Sequence, residues 1–238
     1  EVQIEKGKEL KEKISSLEQK LAPLEEQVSI MLKAIPNMPL NDVPVGASEE
    51  DNVVVKTVGK KPTFTFEPKN HAQIAEAKDW LDKERAAKVA GSRFAYLKGD
   101  LVLMDWALNM YTLSKLTDQS FLAQLIKENN LQISSKPFIP VQPPAMARTE
   151  IYESTGRLDS EAVTYKLADD DLWLNASAEH VLAPMYHNEV LTEDALPIRY
   201  IGYTTAFRRE AGTYGKDMEG FLRLHQFNKL EMETFSNS

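Results

Sequence analysis

Apolar residues near the start of the chain fall at Leu10, Ile14, Leu17, Leu21, Leu24, Val28 and Met31, alternately four and three positions apart. That is the spacing of a heptad seam. The intervening positions are mostly Glu, Lys, Gln and Ser. Two readings fit so narrow a stripe: one helix of a coiled-coil hairpin whose mate lies upstream of Glu1, or an amphipathic helix on a surface. Pro23 interrupts the pattern and is expected to kink or break the hydrogen-bond ladder there. The helix should end near Ala34, because Pro36 disfavours helix at Ile35. Residues 35–52 then carry Pro36, Pro39, Pro44 and Gly46 and read as a linker, with an acidic turn at Glu49, Glu50, Asp51 and Asn52.

From residue 53 the periodicity becomes mixed. Residues 53–55 and 63–66 read as strands, 71–90 as a helix, 92–97 as a strand, and Gly99-Asp100 as a turn. Residues 101–129 read as helical, with Leu101, Met104, Leu108 and Tyr111 on one face. A short strand at 138–141 runs out at Pro143 and Pro144. Beyond Thr164 strands dominate, separated by long connections. This order predicts an α+β domain, an antiparallel sheet flanked by helices, preceded by the helical arm. The expected partition is arm 1–34, linker 35–52 and main domain 53–238.

Composition narrows the chemistry. Of the 238 residues none is cysteine, so disulfides, thiolate metal sites and thiol catalysis are excluded. His71, His180, His187 and His225 show no metal-ligand spacing with paired carboxylates, and no metal site is expected from protein ligands. A net charge of −8 argues against a surface that coats nucleic acid, so any such contact must be a local basic stripe. There is no apolar run long enough for a membrane span, and the first residues do not form a signal peptide.

Candidate chemistry is concentrated near the end. As a strand, residues 223–233 place Arg223, His225, Phe227, Lys229, Glu231 and Glu233 on one face. The same rule puts Arg208 and Glu210 on one face of the preceding strand. A solvent-facing sheet with cross-strand ion pairs is the plain alternative. Against it stand the single Phe among charges and the long connection 211–222, with Gly212, Gly215 and Gly220, where a hairpin normally needs two to five residues. Such a face suits a ligand that is charged and carries a flat ring. Guanidinium grips phosphate, an aromatic ring stacks on a base, and carboxylates hold an ammonium or a hydroxyl.

The segment 207–217 (FRREAGTYGKD), followed by Gly220 and by 223–231 (RLHQFNKLE), resembles the second signature motif of seryl-tRNA synthetases. Residues 36–39 with 43–46 and 50–52 are similar to that family's linker after its helical arm. Residues 91–100 are similar to its lead-in to the catalytic domain, and Ser177-Ala178-Glu179 to its Thr-Ala-Glu amino-acid loop. The resemblance implies a class II synthetase fold and a cytoplasmic serine–tRNA ligase that activates serine with ATP and Mg²⁺ and then charges serine tRNA. It implies Arg208 at the α-phosphate and the attacking serine carboxylate, with Glu210, Arg223 and Phe227 also binding ATP. Ser177, Glu179, Lys229 and Glu231 would hold serine together with Arg208, and Glu231 would take the serine hydroxyl.

The arm would reach tRNA through Lys6, Lys8, Lys11, Lys13 and Lys20, although the same lysines fit a solvated helix face. The family's first motif maps loosely to 101–115 and 137–144 and implies a homodimer. The alternative reading is a non-catalytic synthetase-like protein that binds tRNA or a partner. Ser177 stands where the family has Thr, Asn175-Ala176 where it has an apolar-Pro lead, and Leu40 where a histidine is common. The third motif is expected to lie beyond Ser238, leaving the chain by itself an incomplete active site with little activity.

Overall fold

A computed structural model describes residues 2–36, 38–156, 164–210 and 221–237. The glycine-rich stretch 211–220, including Gly212, Gly215 and Gly220, lies outside the described residues. The chain divides into two compact units, Glu1–Thr63 and Phe64–Ser238.

The first unit is dominated by helix α1 (Val2–Lys33). It passes through Pro23 as one element, so the proline does not end it as the ladder argument allowed. Proline removes one amide donor and crowds the carbonyl a turn earlier, and a helix of 32 residues continues past that local disruption. The seven seam residues are each between 51% and 70% exposed. After the helix, Ser48 caps a 3₁₀ turn (Glu49–Asp51) in a capping box with Asp51. The strand expected at 53–55 is absent. Val53, Val54 and Val55 are exposed, and β-branched residues without a neighbouring strand have nothing to pair with.

The expected strand at 63–66 is likewise absent, and Phe64 and Phe66 pack ring to ring. The expected helix 71–90 is two helices, α2 (His71–Ala77) and α3 (Lys83–Ala90). Asp79 adopts a left-handed conformation between them, and Asp82 caps α3 through the Arg85 amide. Strand β1 (Leu81–Asp82) pairs antiparallel with β2 (Tyr96–Leu97), which is shorter than the predicted 92–97. The expected helix 101–129 also divides, into α4 (Asp100–Leu116) and α5 (Gln119–Glu128). Asp118 accepts from the amides of Ser120 and Phe121 and starts the second.

Strand β3 (Ile139–Val141) is followed by β4 (Met146–Arg148), α6 (Thr149–Ser154), β5 (Leu172–Leu174) and α7 (Glu179–Leu182). Two ten-residue strands complete the unit, β6 (Ile198–Phe207) and β7 (Gln226–Phe235). They pair antiparallel along their whole length, from Ile198 with Phe235 to Phe207 with Gln226. On the other side of β6, β3 runs parallel, which corrects the expectation of a purely antiparallel sheet. The chain between Val141 and Ile198 contains β4, α6, β5 and α7, enough to cross over and return in the same direction. Strands β4 and β5 form a separate antiparallel pair.

A small core is built around that pair. Tyr152, Trp173 and Ala147 are buried, with Ile151 and Val181 packed against them. Leu182 and Ile201, each 1% exposed, press α7 onto β6. At their junction a Cβ on Gly202 would lie 2.5 Å from Leu182 Cδ1, so glycine lets the helix approach the strand closely.

Candidate functional site

Strand β7 reverses the usual polarity of a half-buried strand. Gln226, Asn228, Met232 and Thr234 are exposed, while Phe227, Lys229, Glu231 and Glu233 face inward and are half-buried. The register sets Phe227 opposite Ala206, Lys229 opposite Thr204 and Glu231 opposite Gly202. Cross-strand partners share a face. The three β6 residues are small, which leaves room above them for the long side chains of β7. The sheet face predicted to carry Phe227, Lys229 and Glu231 together is therefore one face, covered by residues 175–178 and α7.

Ser177, 2% exposed, sits at the centre of the polar cluster. Its hydroxyl donates to Glu231 Oε2 at 2.7 Å and accepts from Lys229 Nζ at 2.9 Å. The Glu179 amide donates to the same oxygen at 3.3 Å. A hydroxyl has one proton and two lone pairs, so Ser177 is fully used. Lys229 and Glu231 also form a direct ion pair. Burial pushes the Glu231 carboxyl up, but hydrogen bonds from Lys229 and Ser177, with the charges of Lys229 and Arg208, outweigh it and hold the group below its ordinary value.

Arg208 follows the last residue of β6. Its Nε donates to the Ala176 carbonyl at 3.1 Å, and its guanidinium lies 5.2 Å from the centre of the Phe227 ring. Glu210 departs from the expected strand alternation. It has φ of 48°, outside the strand, and its half-buried carboxylate pairs with Arg223 at 2.8 Å. Glu210 and Arg223 thus meet as a pair at the mouth of the hairpin rather than on the regular faces of β6 and β7. Glu179 opens α7 beside Ser177. The predicted residues Ser177, Lys229, Glu231, Arg208 and Phe227 are accordingly one cluster, with Glu210 and Arg223 joined at its edge.

The segment carrying Ser177 is held from below by Asn175, Tyr152 and His180, to which the sequence assigned no site role. Asn175, fully buried, donates to the Pro144 carbonyl at 2.6 Å, and its own carbonyl accepts from the Phe207 amide at 2.8 Å. The Tyr152 hydroxyl lies 3.0 Å from the Leu174 carbonyl, 3.3 Å from Asn175 Oδ1 and 3.2 Å from His180 Nδ1. His180 Nδ1 accepts from the Ala176 amide at 3.3 Å, which places its proton on the other ring nitrogen. Burial pushes the Tyr152 hydroxyl up, so it stays protonated and able to donate. The available signal was Asn175 itself, a polar residue between Leu174 and Ala176. Among the described residues no group of three or more His, Asp or Glu is arranged to hold a metal ion, and no helix is long and apolar enough to cross a membrane.

The chain is similar to known proteins. Residues 164–238 match the family of the tRNA synthetase class II core domain (G, H, P, S and T). The chain is 40% identical over 220 residues to a serine–tRNA ligase of Methanospirillum hungatei, covering 92% of this chain and 48% of that protein. It is 39% identical to a serine–tRNA ligase of Deinococcus radiodurans, covering 96% and 50%. A solved structure of seryl-tRNA synthetase from Pyrococcus horikoshii, complexed with ATP, superposes with a TM-score of 0.77 at 35% identity over 96% of this chain and 52% of that one. The chain spans about half the length of the curated relatives it matches.

The lowered Glu231 makes a stability prediction. A carboxyl with a depressed folded pKa contributes stability that is complete above its ordinary value near 4.5 and drains as pH falls through the lower folded value. Denaturant titrations of the chain and of Glu231→Gln between about pH 5 and about pH 2 should show a shallower acid decline in the variant. Parallel declines would remove Glu231 from the cluster's electrostatics.

Proposed function

The chain belongs to the seryl-tRNA synthetase family, and on that premise we propose that it contributes the ATP- and serine-binding half of a serine–tRNA ligase. The observation that supports this most directly is the inward-turned polar cluster of Ser177, Lys229 and Glu231 beside Arg208 and Phe227. Phe227 offers a flat surface for adenine. Arg208 is fitted to the α-phosphate and to the serine carboxylate that attacks it, where a fixed guanidinium stabilises charge as pyrophosphate leaves. Glu210 and Arg223 face the nucleotide from the hairpin mouth. The serine ammonium is assigned to Glu179 and Ser177, with Lys229 lining the pocket. The serine hydroxyl is assigned to Glu231, whose ionised state at neutral pH makes it an acceptor.

Discrimination follows from the same burial. Alanine lacks the hydroxyl, and a buried acceptor left unpaired penalises it far more than pocket size alone. The seryl group would then pass from the adenylate to the 3′ end of serine tRNA. Mg²⁺ would reduce the phosphate charge when it arrives with ATP. Among the described residues no group of three or more His, Asp or Glu is arranged to hold it, and none of the roles above depends on one.

The wider arrangement extends the reading: arm 1–34, linker 35–52 and catalytic domain 53–238. The exposed seam of α1 supports a coiled-coil arm that packs against a further helix and presents Lys6, Lys8, Lys11, Lys13 and Lys20 to serine tRNA. Helix α4 has no buried residue, while Leu103, Trp106, Leu108 and Met110 are exposed, which supports a homodimer contact on that helix. A cytoplasmic location is part of the same proposal.

Three measurements on the complete ligase carrying this sequence test the reading. Glu231→Ala should reduce serine-dependent ATP–pyrophosphate exchange by a factor on the order of 100 or more, with ATP still bound in calorimetry. Exchange at the unaltered rate would dismiss the pocket assignment. Charge reversal at Lys8 and Lys11 should weaken serine tRNA binding and flatten its salt dependence, whereas an unchanged salt slope would detach the arm from tRNA. Sedimentation should give a dimer, and a single-chain species at micromolar concentration would eliminate the α4 contact.

A further inference from the structure

We propose that Arg93 and His225 form a clasp that aims Arg208 into the site, a positioning role that rests on the ligase reading above. Regular pairing of β6 with β7 ends at Phe207 and Gln226, one residue short of Arg208. In an antiparallel ladder the next hydrogen-bonded pair, Arg208 and His225, would exchange both of its backbone bonds. Only one of the two is made. The Arg208 amide donates to the His225 carbonyl at 2.9 Å, but the His225 amide donates to the Arg93 carbonyl, also at 2.9 Å. The Arg208 carbonyl is taken instead by the His225 imidazole, with Nδ1 at 2.8 Å. A carbonyl can only accept, so His225 Nδ1 carries the proton.

Residue 93 has therefore entered the mouth of the hairpin, and the imidazole bridges the bond it displaced. Arg93 also reaches the far side of the turn, where its Nη1 donates to the Glu210 carbonyl. Both ends of this bridge lie at non-glycine residues with left-handed backbone, Arg93 at φ 60° and Glu210 at φ 48°. Such conformations persist where the surroundings over-determine them. The imidazole is held in turn by rings, with Phe94 at 5.3 Å and Tyr165 at 6.2 Å between centroids. The clasp fixes the backbone of Arg208 on both of its polar groups, and the Ala176 carbonyl fixes the side chain at Nε. Together they set where the guanidinium points relative to Phe227.

The test compares His225→Leu with His225→Asn in the complete ligase. The Asn amide nitrogen stands where Nδ1 stood and can donate to the same carbonyl, whereas Leu cannot. His225→Leu should lower kcat of serine-dependent ATP–pyrophosphate exchange about 10- to 100-fold while serine KM stays within about twofold, the signature of lost transition-state alignment. His225→Asn should recover most of the rate. Arg93→Lys keeps the charge but loses the planar fork, and should reproduce the fall in kcat even if His225→Leu does not fold. An unaltered kcat in either His225→Leu or Arg93→Lys overturns the clasp. So does a loss in His225→Asn equal to that in His225→Leu, which would assign the ring to packing alone. Absence of exchange in the unsubstituted enzyme would overturn the ligase reading and this proposal with it.

Discussion

Strand β7 turns its ionisable side chains inward, and this sets the requirement that the surrounding structure has to meet. Charged groups taken out of water need a partner for nearly every polar atom, or they neutralise or remain in solvent. Here Lys229, Glu231 and the Ser177 hydroxyl satisfy one another, and Glu231 remains ionised despite its burial. Breaking any one of these contacts leaves the other two groups under-satisfied in the same small volume. The cluster is for that reason a cooperative unit and not three separable contacts.

That requirement extends to the neighbouring strand and to the segment above it. Thr204 and Ala206 share a face with Lys229 and Phe227, while Gly202, opposite Glu231, leaves room for Leu182 and Ala178 above the strand. Larger residues in place of Thr204 and Ala206 would occupy the space the β7 side chains need. Ser177 reaches Glu231 only because residues 175–178 lie close over β6, and that approach is maintained by Asn175, Tyr152 and His180 below. The buried Asn175 uses its backbone and side chain to join the segment to Pro144, Ala145 and Phe207, so three parts of the chain distant in sequence share one anchor.

What the sequence disclosed follows from the same physics. Alternation along 223–233 placed Phe227, Lys229 and Glu231 together because strand periodicity is local and fixed by backbone geometry. The same rule failed at Glu210 and Arg223, since both lie outside the regular ladder, where a left-handed residue resets the direction of the chain. The valines at 53–55 and the Phe64 segment looked like strands because propensity was read without a pairing partner, and a strand is defined by its neighbour. The long helical stretches divided where Asp82 and Asp118 cap new helices. Those caps were visible as residue types, but an aspartate in a polar stretch fits a helix surface equally well until its amide partner is known. The parallel placement of β3 could not be read locally, because the register of a crossover depends on where the returning strand docks.

The geometry also constrains how a ligand enters. The Ser177 hydroxyl has no unused hydrogen-bonding capacity, and Glu231 is held by Lys229 and Ser177. A bound amino acid cannot simply add a hydrogen bond to Ser177. It has to replace an existing one with a group of the same polarity. On the proposed reading an ammonium donating to Ser177 substitutes for a donor already present, while a hydroxyl can add to Glu231, whose carboxylate accepts more than the two bonds it holds through Oε2. A methyl group in place of the hydroxyl supplies no donor. On the proposed reading, selectivity for serine would rest on the donor that its hydroxyl brings to Glu231.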